Sequence, residues 1–280
     1  MADPIIPPED AQDESEEVYI RRQFKLLLYR LHRLPETVRA RVQGHLAQVL
    51  MEHTVSIETS RGPLSFVTLG RLGGARGMKM LTKQPATIEW IDCFRPGSVF
   101  WDVGANVGVY TLYAAQRGDT NVVAFEPAAV NYFLLTANCE VNHFDRRVQC
   151  LLAGLGDARA VAQLEVSQFA VAQSFSFLGK KQPYAFQQSA FLLSMDQLVE
   201  EYGVPCPNYI KVDVPGLTTA ILAGGARTLR RNDVRELHIE AKESSATGRR
   251  IIETMRACGL VLANASTHGS TDLTFVRSGS

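Results

Sequence analysis

Residues 99–127 read VFWDVGANVGVYTLYAAQRGDTNVVAFEP, and this stretch decides the fold. Val99, Phe100 and Trp101 form an apolar strand that ends at Asp102; a loop from Gly104 to Gly108 follows, then a helical run over 109–116. A second strand over 122–125 ends on Glu126 and is closed by Pro127. Strand, glycine loop, helix and strand with an acidic tip make one half of a doubly wound α/β sheet of the dinucleotide-binding type. Gly104 and Gly108 let the backbone turn tightly and approach a ligand closely. Glu126 is placed to accept hydrogen bonds from the hydroxyls of a ribose, so a nucleoside-bearing cofactor is the first expectation.

The loop also narrows which nucleoside. A nicotinamide fingerprint wants G-x-G-x-x-G, because a pyrophosphate must rest on the backbone and on a helix N-terminus. Here Asn106 replaces the middle glycine and Asp102 stands at the mouth. An anion there repels a pyrophosphate but suits a cofactor with a sulfonium and an ammonium. D-x-G-x-x-x-G followed by a downstream acid fits S-adenosylmethionine, the cofactor of class I methyltransferases. The plainer reading is a glycine loop that only packs a helix on a strand.

Composition frames the rest. A chain of 280 residues can bury a large core, and its length suits one catalytic domain plus an extension. Formal net charge is +0, so no overall field favours nucleic acid or an anionic membrane. Cys93, Cys139, Cys150, Cys206 and Cys258 are scattered outside any CxxC pair and read as reduced thiols of a cytoplasmic protein. No apolar run approaches the ~18 residues of a membrane span, and the acidic N-terminus does not resemble a signal peptide.

The chain divides into three parts: 1–17, 18–94 and 95–280. The first is rich in Pro, Asp and Glu and reads as a disordered acidic tail. The second opens with two helices separated at Pro35, their apolar residues Phe24, Leu27, Leu28, Leu31 and then Val38, Val42, Leu46, Leu50 recurring every three or four positions. Their polar faces carry Arg21, Arg22, Lys25, Arg30, Arg33, Arg39 and Arg41, read as a solvated basic face. The apolar faces offer a homodimer contact. A hairpin over 55–69, a glycine-rich link over 70–77 and a short helix over 87–94 lead into the core. From residue 95 strands and helices alternate. An edge strand is expected over 159–166, an aromatic loop over 169–188, a helix opening at Ser194, buried strands over 209–214 and 234–240, and a helix over 216–229 between them. A helix over 248–258 and two final strands close an α/β sheet that is mostly parallel with an antiparallel last strand.

The ordered set PGSVFWDVGANVGVYT, VVAFEP, LGD, SMDQLVEE, NYIKVDVPGLTTAILAGGARTL and LHIE resembles the FkbM family of S-adenosylmethionine-dependent methyltransferases, over about residues 87–240. The resemblance implies a Rossmann-like class I methyltransferase fold and O-methylation of a hydroxyl on a small molecule or glycan. It places cofactor contacts at Asp102, Gly104, Asn106, Gly108, Thr111, Glu126 and Asp157. Two departures stand out: Pro215 occupies a position usually acidic in the family, and Gln84-Pro85 stands where an E-P pair is common. Pro215 is read as opening the helix that follows. Loss of the acid leaves a second reading, a degenerate protein that binds the cofactor without transferring its methyl.

Methyl transfer needs an aligned acceptor oxygen and a group to take its proton. Asp213, at the carboxyl end of its strand, is the leading candidate for base or substrate orienter, unless it caps the next helix. Lys211 shares its strand face. His238 is the second candidate base, sharing a face with Glu240, although a lone histidine there is more often a satisfied core residue. No compact metal-ligand cluster is expected. A DNA methyltransferase would want an N/D-P-P-Y/F turn, and VDVPG has no aromatic after its proline. An NAD-dependent dehydrogenase is disfavoured by Asn106.

Overall fold

The computed structural model describes residues 15–69, 84–166, 176–177, 186–263 and 272–278. Two units divide the chain, residues 1–52 and 53–280. In the first, α1 (Glu16–His32) and α2 (Glu36–Glu52) lie on either side of Pro35, as the sequence spacing predicts. Glu16 and Glu17 occupy the first turn of α1, where negative charge suits the helix dipole. The expected acidic tail falls outside the described residues up to position 14, and residues 16–17 already belong to α1. Phe24 is 55% exposed, and Leu31 is the buried residue of α1.

In the second unit, β1 (Thr54–Thr59) and β2 (Gly62–Val67) pair as the expected antiparallel hairpin. Grouping this hairpin with the N-terminal helices up to residue 94 needs correction, because it belongs to the larger unit. The cause is a set of buried ties. Asn138 Oδ1 accepts from Val67 N–H at 2.8 Å, and Asn142 accepts from Ser65 N–H at 2.9 Å and donates to Ser65 O at 2.7 Å. Leu64 and Phe66 are fully buried beside them. The glycine-rich link lies outside the described residues. α3 (Pro85–Asp92) follows, with its proline in the first turn where no N–H is missed.

β3 (Val99–Val103), α4 (Val109–Gln116), β4 (Asn121–Phe125), α5 (Ala129–Val141) and β5 (Val148–Leu151) then repeat the βαβ unit, all three strands parallel. The chain next builds a second, four-stranded sheet from β6 (Gly154–Leu155), β7 (Ala160–Val166), β8 (Ser176–Phe177) and β9 (Phe186–Leu193), in the order β6-β9-β7-β8. The aromatic loop expected over 169–188 lies mostly outside the described residues; within them, β8 and β9 are strands. β9 was illegible because FQQSAFLL has no alternation, and Ala190 alone is buried among residues 187–193.

α6 (Met195–Glu200) opens at Ser194 as expected. The Ser194 hydroxyl accepts from Gln197 N–H, and Gln197 Oε1 accepts from Ser194 N–H. β10 (Tyr209–Val212), α7 (Thr218–Ala223), β11 (Glu236–Glu240), α8 (Ala246–Ala257), β12 (Leu260–Leu262) and β13 (Asp272–Arg277) complete the unit. The main sheet runs β12-β13-β11-β10-β3-β4-β5. β13 is antiparallel to both neighbours while β11, β10, β3, β4 and β5 run parallel, which is the sheet the sequence implies. Trp101, Val123, Ile210 and Leu237 pack on one face with Met195, Ile221, Leu222, Ile251 and Met255 of α6, α7 and α8. Phe100, Val122, Ala124 and Tyr209 pack on the other with Ile91, Leu112 and Leu135 of α3, α4 and α5. No helix among the described residues is long and apolar enough to cross a membrane.

Candidate active site

Strand register places a polar row inside this apolar sheet. Asp102, Lys211 and His238 are successive Cα partners on β3, β10 and β11, and His238 partners Thr274 on β13. They are 1%, 3% and 4% exposed, so each must find partners or the fold loses stability. One step nearer the carboxyl edge come Asp213, Glu240 and Asp272, the last two being Cα partners. The buried row reaches up to this acidic edge. Lys211 Nζ lies 3.1 Å from Asp213 Oδ2, and His238 Nε2 lies 3.2 Å from Asp272 Oδ2.

The reading of His238 as a base is corrected by these contacts. Its ring stacks on Trp90 at 5.1 Å, Nδ1 meets Thr274 Oγ1 at 3.0 Å, and Nε2 also lies 3.3 Å from Thr87 Oγ1. Both ring nitrogens are engaged and the ring is closed off from the crevice. A base must reach the proton it takes, whereas His238 fastens α3 to the sheet.

Asp213 has the opposite surroundings. Its side chain is 29% exposed, and its N–H donates to Val103 O at 3.0 Å, which extends the ladder past β10. It does not cap α7: the residue before that helix is Leu217. Val214-Pro215-Gly216-Leu217 forms a turn, with Leu217 N–H on Val214 O at 3.4 Å and Gly216 at φ +84. Proline at the second position and glycine at the third suit a type II turn. Pro215 is therefore an exposed turn residue, and the expectation that it opens the helix is corrected.

Glu240 stands beside Asp213 at the same edge, and its carboxyl is pushed up to about 7. A hydrogen bond shared with Asp213 is the main cause, then burial and the charges of Asp213 and Asp272, opposed by Lys211. Tyr110, in the first turn of α4, lays its ring 4.8 Å from Lys211 Nζ and donates its hydroxyl to Gln84 Oε1. Burial first, and then Asp102, Asp213, Asp272 and Glu240, push its phenol up, so it remains a donor. Sequence reasoning named neither Tyr110 nor Asp272; the available clue was the place of Tyr110, two residues after Gly108 where the helix opens.

The glycine loop adjoins this edge. Gly104, Asn106 and Gly108 have φ of +87, +54 and +89. A Cβ on Gly104 would lie 2.5 Å from Asp213 O, and one on Gly108 would lie 2.6 Å from Leu135 Cδ1. Both glycines thus serve close packing as well as the turn. Asn106 Oδ1 accepts from Val107 N–H at 3.0 Å. Glu126 clasps the loop: Oε2 accepts from Asn106 N–H and Oε1 from Ala128 N–H, each at 2.9 Å. Burial pushes its carboxyl up to about 7, against the pull of those two N–H groups and of Asn131. A carboxylate has about four acceptor sites, so hydroxyls can still bond to it.

Asp102 Oδ2 accepts from the Thr111 hydroxyl at 2.7 Å, while buried Oδ1 has no hydrogen-bond partner among the described residues. Burial pushes this carboxyl up, and Lys211 and Thr111 pull it back. Thr111 is fully buried, and its hydroxyl donates to Asp102, which is itself 1% exposed. Asp157 is not brought to the loop. It is exposed, and its backbone packs at the far end of α7, where a Cβ on Gly224 would lie 2.9 Å from Asp157 Cα. The expectation of a cofactor contact there is corrected. Residues 99–116 contain no Lys or Arg. Two acids and an orphaned carboxylate oxygen, with the neighbouring Lys211 already paired to Asp213, fit a ligand with cationic and hydroxyl groups better than a pyrophosphate.

Comparisons with known proteins point to a methyltransferase family. A family model for the methyltransferase FkbM domain matches residues 102–262. The hexuronic acid methyltransferase AglP of Haloferax volcanii is 31% identical over 131 residues, which cover 47% of this chain and 51% of that protein. The 31-O-demethyl-FK506 methyltransferase FkbM of Streptomyces tacrolimicus is 28% identical over 156 residues, covering 46% of this chain and 60% of that one. The chain therefore spans 51–60% of the length of these curated relatives. Among solved structures, methyltransferase FkbM from Methylobacillus flagellatus superposes with a TM-score of 0.46 at 15% identity, over 66% of this chain and 45% of that chain.

Proposed function

The chain belongs to the methyltransferase FkbM domain family, and we propose that it is an S-adenosylmethionine-dependent O-methyltransferase acting on a hydroxyl of a small molecule or glycan. The observation that carries the reading is the place of Asp213: part-exposed at the sheet edge, against Gly104 of the loop, with Lys211 Nζ at 3.1 Å. The two curated relatives are named as methyltransferases of a hexuronic acid and of 31-O-demethyl-FK506, and the second name points to an oxygen acceptor.

When bound, S-adenosylmethionine supplies an activated methyl group. Asp102, through its orphaned Oδ1, and Glu126 are the residues that would hold its ammonium and ribose ends. Asp213 accepts the proton of the acceptor hydroxyl as the oxygen becomes nucleophilic. Lys211 sets a positive charge beside Asp213 and favours its carboxylate form. Glu240 shares a hydrogen bond with Asp213 and offers a second carboxyl at the crevice.

The test is transfer of label from methyl-labelled S-adenosylmethionine to a panel of uronic acids, glycosides and macrolide alcohols, beside calorimetry of cofactor binding. Label on a hydroxyl is expected. Cofactor binding with no label on any acceptor favours the non-transferring reading, for which Pro215 is the motive. Tighter binding of NAD overturns the family of cofactor itself.

A further inference from the structure

Two cysteines meet across the α5–β5 packing. Cys139, on α5, and Cys150, on β5, have their sulfurs 3.8 Å apart. That is van der Waals contact between thiols; a disulfide asks for about 2.05 Å, so the sulfurs must close by less than ~2 Å. Their surroundings differ. Cys139 is 5% exposed, whereas Cys150 is part-exposed on the edge strand of the main sheet. We propose that Cys139 and Cys150 form a two-thiol modification site that a hydroperoxide closes to a reversible disulfide.

The chemistry divides between the two sulfurs. The hydrogen bond from Cys139 pulls the Cys150 thiol down, and the same bond, with burial, pushes Cys139 up. Cys150, the part-exposed sulfur, is therefore the one a peroxide reaches, and it reacts as the thiolate, which is the nucleophile. It attacks one peroxide oxygen, the O–O bond breaks, and Cys150 becomes a sulfenic acid as hydroxide leaves. Cys139, already in contact, attacks that sulfur; the S–O bond breaks, an S–S bond forms, and water departs with the thiol proton. Two thiols are oxidised to one disulfide, and one hydroperoxide is reduced to water (or to an alcohol and water). The link lands beside a functional strand end, since Glu126 N–H donates to Leu151 O at 3.2 Å.

Peptide mapping reads the site without any methyl acceptor. Cleavage after Arg146 and Arg147 separates residues 118–146, which hold Cys139, from 148–159, which hold Cys150. The full chain is treated with one equivalent of hydrogen peroxide, capped with N-ethylmaleimide and digested with trypsin. The expected product is a cross-link between those two peptides that dithiothreitol reverses. Exposed Cys93 serves as the comparator. In Cys139→Ser, Cys150 should accumulate as a dimedone-trapped sulfenic acid; in Cys150→Ser, Cys139 should stay alkylatable while Cys93 oxidises. Both cysteines alkylated after Cys93 has reacted would overturn the proposal, as would equal oxidation of Cys139 in Cys150→Ser.

Discussion

The ammonium of Lys211 lies 3.1 Å from Asp213 Oδ2, with the lysine side chain 4% exposed and the aspartate 29%. One end of this pair is therefore dry and the other wet. Asp102 is the Cα partner of Lys211 on β3, so the buried cation lies among two acids and the face of Tyr110. A buried charge is tolerable only when paired and hydrogen-bonded, and here the pairing also orients the carboxylate that faces the crevice.

Lys211→Met should cost about 3–5 kcal/mol, the usual penalty for stranding a buried partner charge. Chemical denaturation measures it. Asp102→Asn combined with Lys211→Met should cost less than the sum of the single changes, because the amide removes one stranded charge. Additive costs would mean that Lys211 and Asp102 do not interact.

Gly104→Ala and Gly108→Ala should separate in severity. Both demand a positive φ, worth roughly 1–2 kcal/mol for an L-residue. At Gly104 the new Cβ also meets the Asp213 carbonyl at 2.5 Å, a backbone atom, whereas at Gly108 it meets the movable end of Leu135 at 2.6 Å. Gly104→Ala should give the lower melting temperature and disturb Asp213. The reverse order would show that the loop does not pack against that strand.

The sequence was legible where burial writes a pattern and silent where it does not. VFWDV, NVVAF and YIKV are short apolar runs with one polar residue each, ELHIE alternates polar and apolar, and they became the central strands β3, β4, β10 and β11. Three of the interruptions became a buried polar row: Asp102, Lys211 and His238 are successive Cα partners. What the spacing could not convey is which polar residue finishes its bonds inside the protein. His238 does, against Trp90, Thr87, Thr274 and Asp272, all distant in sequence except by register. Asp157 failed for a related reason, since its strand end belongs to the second sheet, of which the sequence announced only the strand over 159–166.

Glu126→Ala should weaken more than ligand binding. The change removes the acceptor for two N–H groups, those of Asn106 and Ala128. Hydrogen bonds to a charged group are worth about 1.5–3 kcal/mol each, so loss of the two is expected to cost about 3–6 kcal/mol of stability together with weaker cofactor binding. Calorimetry of unfolding and of binding reads both. Weaker binding at unchanged stability would show that Glu126 faces only the ligand.

Glu240→Gln should gain stability relative to the wild type as pH rises. The folded-state value of about 7 lies above the ordinary 4.5, so the folded protein keeps this proton between the two. That contribution is complete below the unfolded value and is lost as pH rises through 7. The groups facing Glu240 are Asp213, Asp272 and Lys211, with Tyr110 behind them. Glutamine cannot ionise, so the difference between variant and wild type should grow from about pH 5 to about pH 8, by roughly 1 kcal/mol after solvent screening. A difference that is flat or shrinks with pH contradicts the shared hydrogen bond.

Asp213→Asn should abolish most methyl transfer and leave cofactor affinity within a few-fold. The amide preserves shape and one acceptor oxygen for Lys211, but it cannot take a proton from the acceptor hydroxyl. Loss of a positioned base costs on the order of 10²–10⁴ in rate. Asp102 and Glu126, which would hold the cofactor, keep their Thr111, Asn106 and Ala128 bonds. Single-turnover transfer and calorimetry on the same preparation separate the two effects, and transfer at the wild-type rate would remove Asp213 from the chemistry. Pro215→Glu supplies the control for the missing acid. Because Pro215 is exposed in the turn before α7, its replacement should cost about 0.5–1 kcal/mol through the freer unfolded chain and leave transfer nearly unchanged. A large gain of transfer in Pro215→Glu would mean that the acid at this position takes part in the reaction, and that the present chain has lost it.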